Sequence, residues 1–212
     1  TIKALLRQAG FQVGRYKIRS GMRKLGLACQ QRQTFKVTTK HNEKHQVQPN
    51  LLNQNFQPLF ANEVWAGDIT YIKTNQGWRY LAVVMDLFSR RIVGWNMAER
   101  MKADLVIQAL QQAHVLRQPQ YGCVFHSDRG SQYTSRAFAK KARQLKMRLS
   151  MSDVGCCYDN AVVERFFGSL KHEGLGHTAT MNENVVKQEV TQFIHYYNFN
   201  RPHTANNGMS PL

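Results

Sequence analysis

Between residues 64 and 97 three strand-like runs follow one another with only short turns between them. Residues 64–73 and 78–86 are rich in β-branched and aromatic side chains, Asn75 and Gly77 mark the turn that joins them, and residues 91–97 supply the third run. Strands this close in sequence pair antiparallel, as a meander. The pattern then changes to alternation. Residues 103–117 carry Val106, Ala109, Leu110, Ala113 and Leu116 on one helical face. A short buried strand over 122–127, a helix over 135–145 capped by Thr134 or Ser135, and a fifth strand over 147–151 follow. Strands separated by helices require parallel crossovers. The order therefore predicts an α/β chain: a mixed sheet of three antiparallel strands plus two parallel, with flanking helices. A Gly-containing loop at 152–158 leads to a helix over 160–172, capped by Asp159 or Asn160. A last amphipathic helix, 185–198, offers Val186, Val190, Phe193 and Tyr197 to the core.

The 212 residues carry a net charge of +16 and are 42% hydrophobic, enough for a real core. A charge this high favours a polyanionic partner, nucleic acid being the usual one. The imbalance is concentrated: residues 1–50 hold eleven Lys or Arg against the single acid Glu43. Residues 3–27 read as two short basic helices joined through Gly10, with Ile18, Met22 and Leu25 at helical spacing. They fit a helix-turn-helix or a basic hairpin equally, and either offers Arg15, Lys17, Arg19, Arg23 and Lys24 to DNA. Residues 28–50 are polar and read as a flexible connection. Leu51, Leu52, Phe56, Leu59 and Phe60 are expected to pack on the domain that follows. No run of eighteen apolar residues occurs, so no membrane span is expected. The first residue is Thr1 and no export leader follows it, as in a trimmed fragment of a cytoplasmic protein. Cys29, Cys123, Cys156 and Cys157 form no C-x-x-C pair, which reads as a reduced chain. His41 and His45 lack nearby cysteines and make a poor zinc site.

Three acids stand out by position. Asp68 falls inside the first strand, between Gly67 and Ile69. Asp128 directly follows the fourth strand in H-S-D-R-G-S-Q-Y (126–133), and Glu164 lies in the second turn of a helix in Y-D-N-A-V-V-E-R-F-F-G-S-L-K (158–171). A carboxylate in a strand is costly to bury unless it is paired or metal-bound. Strand ends are where α/β sheets place ligands. Two strands and a helix can bring the trio together on Mg²⁺, which takes one or two carboxylates plus water and phosphate oxygens. Two such ions about 3.5–4 Å apart activate an attacking oxygen and stabilise a leaving one. Crowded carboxylates resist joint ionisation, so such a site should need its metal.

Lys171 lies seven residues past Glu164 and, at about 100° per residue, returns to nearly the same helix face. On spacing alone the pair fits an ordinary solvated face better than a phosphate contact. Asp86 reads as a partner for Ser89 or Arg90. Trp65, Trp78 and Trp95 read as packing residues and His126 as a supporting one, while His203 fits either a DNA contact or a fixing of the chain end.

The strings W-A-G-D-I-T-Y-I (65–72), Y-L-A-V-V-M-D-L-F-S-R-R-I-V-G-W (80–95), H-S-D-R-G-S-Q-Y, D-N-A-V-V-E-R-F-F-G-S-L-K and Y-N-F-N-R-P-H (197–203) closely resemble bacterial insertion-sequence transposases of the IS3 family, second-frame (OrfB) type. That family's core is similar to retroviral integrase, with an RNase H-like fold. The resemblance implies that Asp68, Asp128 and Glu164 bind two Mg²⁺ or Mn²⁺ ions and that Lys171 touches the transposon end, with Arg129 and Arg165 as further DNA contacts. It implies cutting at element ends and joining of a 3′-hydroxyl to a target phosphodiester. It also implies double-stranded DNA, a homo-oligomer on that DNA and a first-frame (OrfA) partner or fusion. The tail T-A-N-N-G-M-S-P-L departs from the more usual S-A-L-G-G-L-S-P. Two other functions suit parts of the pattern: a DNA-binding protein derived from a transposase and catalytically inactive, and an RNase H-like nuclease acting on hybrids. The organisation expected is a basic helical segment with linker over 1–48, a connector over 49–62, a catalytic core over 63–176, and a C-terminal helix and tail over 177–212.

Overall fold

In a computed structural model, residues 2–28, 47–53, 55–153, 160–176 and 178–212 are described. Two short helices come first, α1 (Ile2–Gln8) and α2 (Arg15–Lys24), and neither buries a residue. The linker expected after them, the two histidines within it, and most of the 152–158 loop lie outside the described residues.

The domain that follows is a five-stranded sheet in the order β3-β2-β1-β4-β5. Its strands are β1 (Val64–Thr74), β2 (Gly77–Asp86), β3 (Ile92–Ala98), β4 (Val124–Ser127) and β5 (Arg148–Met151). The first three pair antiparallel, and β1–β4 and β4–β5 pair parallel, as the spacing of the runs predicted. Helices α3 (Ala103–Arg117) and α4 (Arg136–Gln144) make the crossovers, and Ser135 caps α4 by accepting from the Phe138 N–H.

Side chains alternate across a strand, so the sheet has two apolar faces. Ala66, Leu81, Val83 and Met85 meet α5 (Ala161–Ser169) and α6 (Glu183–Phe199) through Val163, Phe166, Val186, Val190 and Tyr197. Trp65, Ala82, Val84 and Val93 meet α3 and α4 through Leu105, Leu110 and Phe138 on the other face. The Asn198 side chain clamps α6 to edge strand β3: its Nδ2 donates to the Ile92 carbonyl at 2.9 Å and its Oδ1 accepts from the Ile92 N–H at 2.9 Å.

The connector only half follows expectation. Leu52 is buried and Phe56 packs on the core, but Leu51 is exposed, and so are Leu59 and Phe60. The N–H groups of the last two donate to the Glu63 carboxylate at 2.9 and 3.2 Å, which holds that stretch as a surface turn. The Asp86 carboxylate accepts from Ser89 Oγ at 3.1 Å, the partnership its sequence position suggested. Trp65 is fully buried and Trp95 packs against the core, but Trp78 is 49% exposed and is no packing residue. It stands next to the tight turn that joins β1 to β2.

Candidate active site

Strand register brings the first two acids together. Ala66 pairs with His126 in the parallel β1–β4 ladder. Two residues further along both chains stand Asp68 and Asp128, so one register carries both carboxylates to the same end of adjacent strands. The ladder stops at Ala66, and β1 continues without β4 as far as Thr74. Gly67 sits where it stops. A Cβ there would lie 2.3 Å from Phe125 Cζ, so only glycine lets that ring pass beneath the strand.

Glu164 arrives from α5. Val163 and Phe166 bury on the sheet, and Glu164 projects from the first turn, one turn earlier than expected because the helix begins at Ala161. An anion is favoured there by the helix dipole. Asn160 precedes the helix, but its side chain makes no cap. Its Nδ2 instead donates to the Gly67 carbonyl at 3.2 Å, tying the helix start to the strand beside Asp68.

The three carboxylates feel one another. Burial pushes the Asp68 carboxyl well above the usual range, and the charges of Asp128 and Glu164 push it further. An N–H from Ile69, donated to Asp68 Oδ1 at 2.8 Å, and the Lys171 ammonium only partly offset this. Glu164 is raised by desolvation and then by Asp128. Among the described residues no group of three or more His, Cys, Asp or Glu side chains is placed to hold a metal ion as it stands. The donor set nonetheless fits a hard cation: carboxylate oxygens, mutually repelling, with one member exposed.

Asp128 is held by its own loop. Its Oδ1 accepts the Gly130 N–H at 2.9 Å, its backbone carbonyl accepts Ser127 Oγ at 3.0 Å, and Thr134 Oγ1 donates to the Gly130 carbonyl at 3.1 Å. Beneath it lies buried His126, which bonds Ser150 Oγ at 2.8 Å and Ser152 Oγ at 3.3 Å, a supporting role as expected. Arg129 is turned inward: its Nε donates to the Ser152 carbonyl at 2.6 Å, and it pairs with Asp153 at 3.2 Å.

Lys171 does not simply repeat Glu164's face. The α-helical step holds only to Ser169, and the chain then widens into a π-helical turn, Leu170–Gly174. The Lys171 ammonium sits 4.5 Å from the Tyr71 ring and feels the charge of Asp68. Burial lowers its pKa, and Asp68 partly restores it. Arg165 is exposed, as are Arg15, Lys17, Arg19, Arg23 and Lys24 on α2. His203 packs edge-on against Tyr197 and donates its backbone N–H to the Met209 carbonyl, which fixes the chain end; burial and Arg201 lower its pKa to about 4.

Sequence reasoning missed Tyr133. It is buried, and its phenol is pushed well above its usual range by desolvation and by the charges of Asp68 and Asp128. It closes the same motif that contains Asp128, a signal that was in plain view. Asn160 was read as a cap because its side chain's long-range partner is invisible to spacing.

The sheet order and the carboxylates at its β1–β4 junction define a protein with an integrase-type catalytic core, and a family model described as "Integrase core domain" matches residues 60–157, with a second of the same description on residues 145–211. The chain is 39% identical over 207 residues to the insertion element IS600 31 kDa protein of Shigella sonnei, covering 97% of this chain and 76% of that one. It is also 39% identical to the transposase InsF of insertion sequence IS3A from Escherichia coli K12, covering 97% of this chain and 72% of that one. It belongs to the IS3 family of insertion-sequence transposases. Among solved structures, the HTLV-2 integrase catalytic core domain in complex with magnesium shares its fold, with a TM-score of 0.55 at 18% identity over 73% of this chain and 97% of that one. A chain of the simian T-cell lymphotropic virus intasome in complex with PP2A regulatory subunit B56 gamma gives a TM-score of 0.61 at 20% identity, over 80% of this chain and 59% of that one. The fold is RNase H-like, as these cores are.

Proposed function

We propose that the chain is the catalytic subunit of a DDE-type DNA transposase, cutting at insertion-sequence ends and joining the freed 3′-hydroxyl to a target phosphodiester. The observation that carries this reading is geometric: strand register sets Asp68 and Asp128 at the ends of adjacent strands, and Asn160 ties the start of the helix that carries Glu164 to β1 beside them, close enough that both charges raise the Asp68 carboxyl. Asp68, Asp128 and Glu164 would hold two Mg²⁺ or Mn²⁺ ions, whose charge would polarise the scissile phosphate and lower the pKa of the attacking hydroxyl or water. In strand transfer the 3′-oxygen forms a bond to the target phosphorus, and the bond from that phosphorus to its own 3′-oxygen breaks. The number of phosphodiesters is unchanged, and no bond to the protein is needed.

The chain's own groups set the geometry. Gly130 and Ile69 N–H groups orient the two aspartates, Asn160 fixes α5 against β1, and Tyr133 walls the site from beneath. Lys171 supplies a cation for a phosphate beside the reacting one, and Arg165 and the basic face of α2 extend the track along double-stranded DNA. Arg129 braces the loop around Ser152 and Asp153. Residues 1–48 act as the DNA-binding segment, 49–62 as connector, 63–176 as catalytic core and 177–212 as its C-terminal cover. Joining two ends calls for more than one copy on the DNA, with a first-frame partner or fusion contributing end recognition. No helix among the described residues is long and apolar enough to cross a membrane. A bacterial chromosome as target sets the work in the cytoplasm.

The test is strand transfer by the chain on duplexes carrying its element's ends, with Mg²⁺, Mn²⁺, Ca²⁺ or chelator. Mg²⁺ or Mn²⁺ should support joining. Asp128→Asn and Glu164→Gln should abolish cleavage and joining while duplex binding persists. Normal activity in either variant, or cleavage confined to RNA–DNA hybrids, overturns the proposal.

A further inference from the structure

The hairpin formed by β1 and β2 runs past the active site and ends in two exposed aromatic rings. Trp78 is 49% exposed and Tyr71 39%. They meet edge to face, with centroids 5.3 Å apart at 83°. A cation flanks each ring: Lys73 Nζ lies 5.8 Å from the Trp78 centroid, and Lys171 Nζ lies 4.5 Å from Tyr71. The four side chains make one row in the order Lys171, Tyr71, Trp78, Lys73. Lys171, at one end of the row, feels the charge of Asp68, and Tyr71 stands three residues along the strand from that acid, about 10 Å away, on the opposite face of β1.

Nothing in the fold requires this row. The apolar faces of the sheet are already covered by α3, α4, α5 and α6. A large ring left in water forfeits the burial that would reward it. Cations alternating with aromatic faces are what a single nucleic-acid strand needs: charge for the phosphates, a ring for each base. A paired duplex supplies only the phosphates, because its base faces are already stacked on one another. The occupant is therefore an unpaired strand.

We propose that Tyr71 and Trp78, flanked by Lys73 and Lys171, form a stacking platform that captures the unpaired strand of a DNA end lying in the active site. This rests on the transposase reading for the identity of the DNA, but not for the binding itself. The platform gives the chain a preference for frayed or overhanging ends over blunt ones, since only the former offer free base faces.

The test measures binding of the full chain, in Ca²⁺, to three labelled DNAs: a blunt duplex, the same duplex with a short unpaired strand at one end, and oligothymidylate alone. The overhang should bind more tightly than the blunt end, and oligothymidylate should quench Trp78 fluorescence. Trp78→Ala should lower the overhang-to-blunt affinity ratio about tenfold, and Trp78→Phe, which keeps a ring, should restore most of it. Thermal unfolding of both variants separates stacking from hairpin damage. An unchanged ratio in Trp78→Ala, equal weakening of blunt and overhang binding, or no quenching overturns the proposal. Trp78-dependent binding of oligothymidylate without strand transfer at element ends leaves the platform standing and removes the transposase reading instead.

Discussion

Gly130 separates the stability of this fold from the placement of its chemistry. Its φ is not among the positive values, so an alanine meets no backbone strain there. Space is the obstacle. A Cβ would stand 2.9 Å from Asp128 Oδ1, 3.5 Å from Oδ2 and 3.3 Å from Gln132 Oε1. Ordinary contact needs about half an ångström more, and the Asp128 carboxylate is the end of a short side chain that can swing to provide it. The stability cost of Gly130→Ala should therefore stay below about 1.5 kcal/mol, at the low end for overpacking. The functional cost should be far larger. Swinging the carboxylate lengthens the 2.9 Å bond it accepts from the Gly130 N–H and moves an oxygen proposed to bind metal by several tenths of an ångström. Displacements approaching 1 Å at a reacting centre cost about a hundredfold, so strand transfer should fall between about tenfold and a hundredfold. Gly21→Ala, where nothing lies within 4 Å of the added Cβ, serves as the control. The assay pairs Mg²⁺-dependent joining with thermal unfolding. If Gly130→Ala keeps full joining activity, Asp128's position does not matter to the reaction. If it unfolds the protein, the carboxylate is not the part that yields.

Further outcomes follow from the same geometry. Because the Asp68 carboxyl is raised in the folded chain, its contribution to stability is fully present below the ordinary carboxylate range and is lost as pH rises through the raised value. Metal-free Asp68→Asn should therefore melt above the unsubstituted chain at neutral pH, with the gap closing on acidification; calorimetry showing a constant gap rejects the charge-crowding account. Mg²⁺ at about a hundred times its dissociation constant should stabilise the unsubstituted chain by about 2.7 kcal/mol, about 5–10 °C for a chain this long, and Asp68→Asn far less. Asn198→Ala removes both bonds to the Ile92 backbone and leaves a buried donor and acceptor unmet, at a cost of about 2–4 kcal/mol in urea unfolding. A loss under 1 kcal/mol would mean that water replaces the clamp.

The order of elements was legible in the chain because each is written locally. Runs of β-branched and aromatic residues marked the meander strands, a 3.6-residue period marked α3, and Thr134 or Ser135 announced α4 by a capping chemistry that operates within one turn. The acids were legible too, because a carboxylate inside a strand or directly after one has few reasons to be there. What lay beyond reach was anything settled by contact between distant segments. The pairing of Ala66 with His126, which sets Asp68 beside Asp128, is a choice of register, and a one-residue slip would have turned every side chain of the strand to the other face. Lys171 lies in a π-helical turn, Leu170–Gly174, with its ammonium over Tyr71, and a helix period has no means of announcing such a turn. Trp78 read as a packing residue by type and proved exposed, because burial depends on where the covering helices end and not on the side chain itself. Local propensity and polarity thus fixed which residues form each element and which carry charge. Packing across the sheet alone decided which charges share a pocket, since desolvation and Coulomb repulsion act through space and not along the chain.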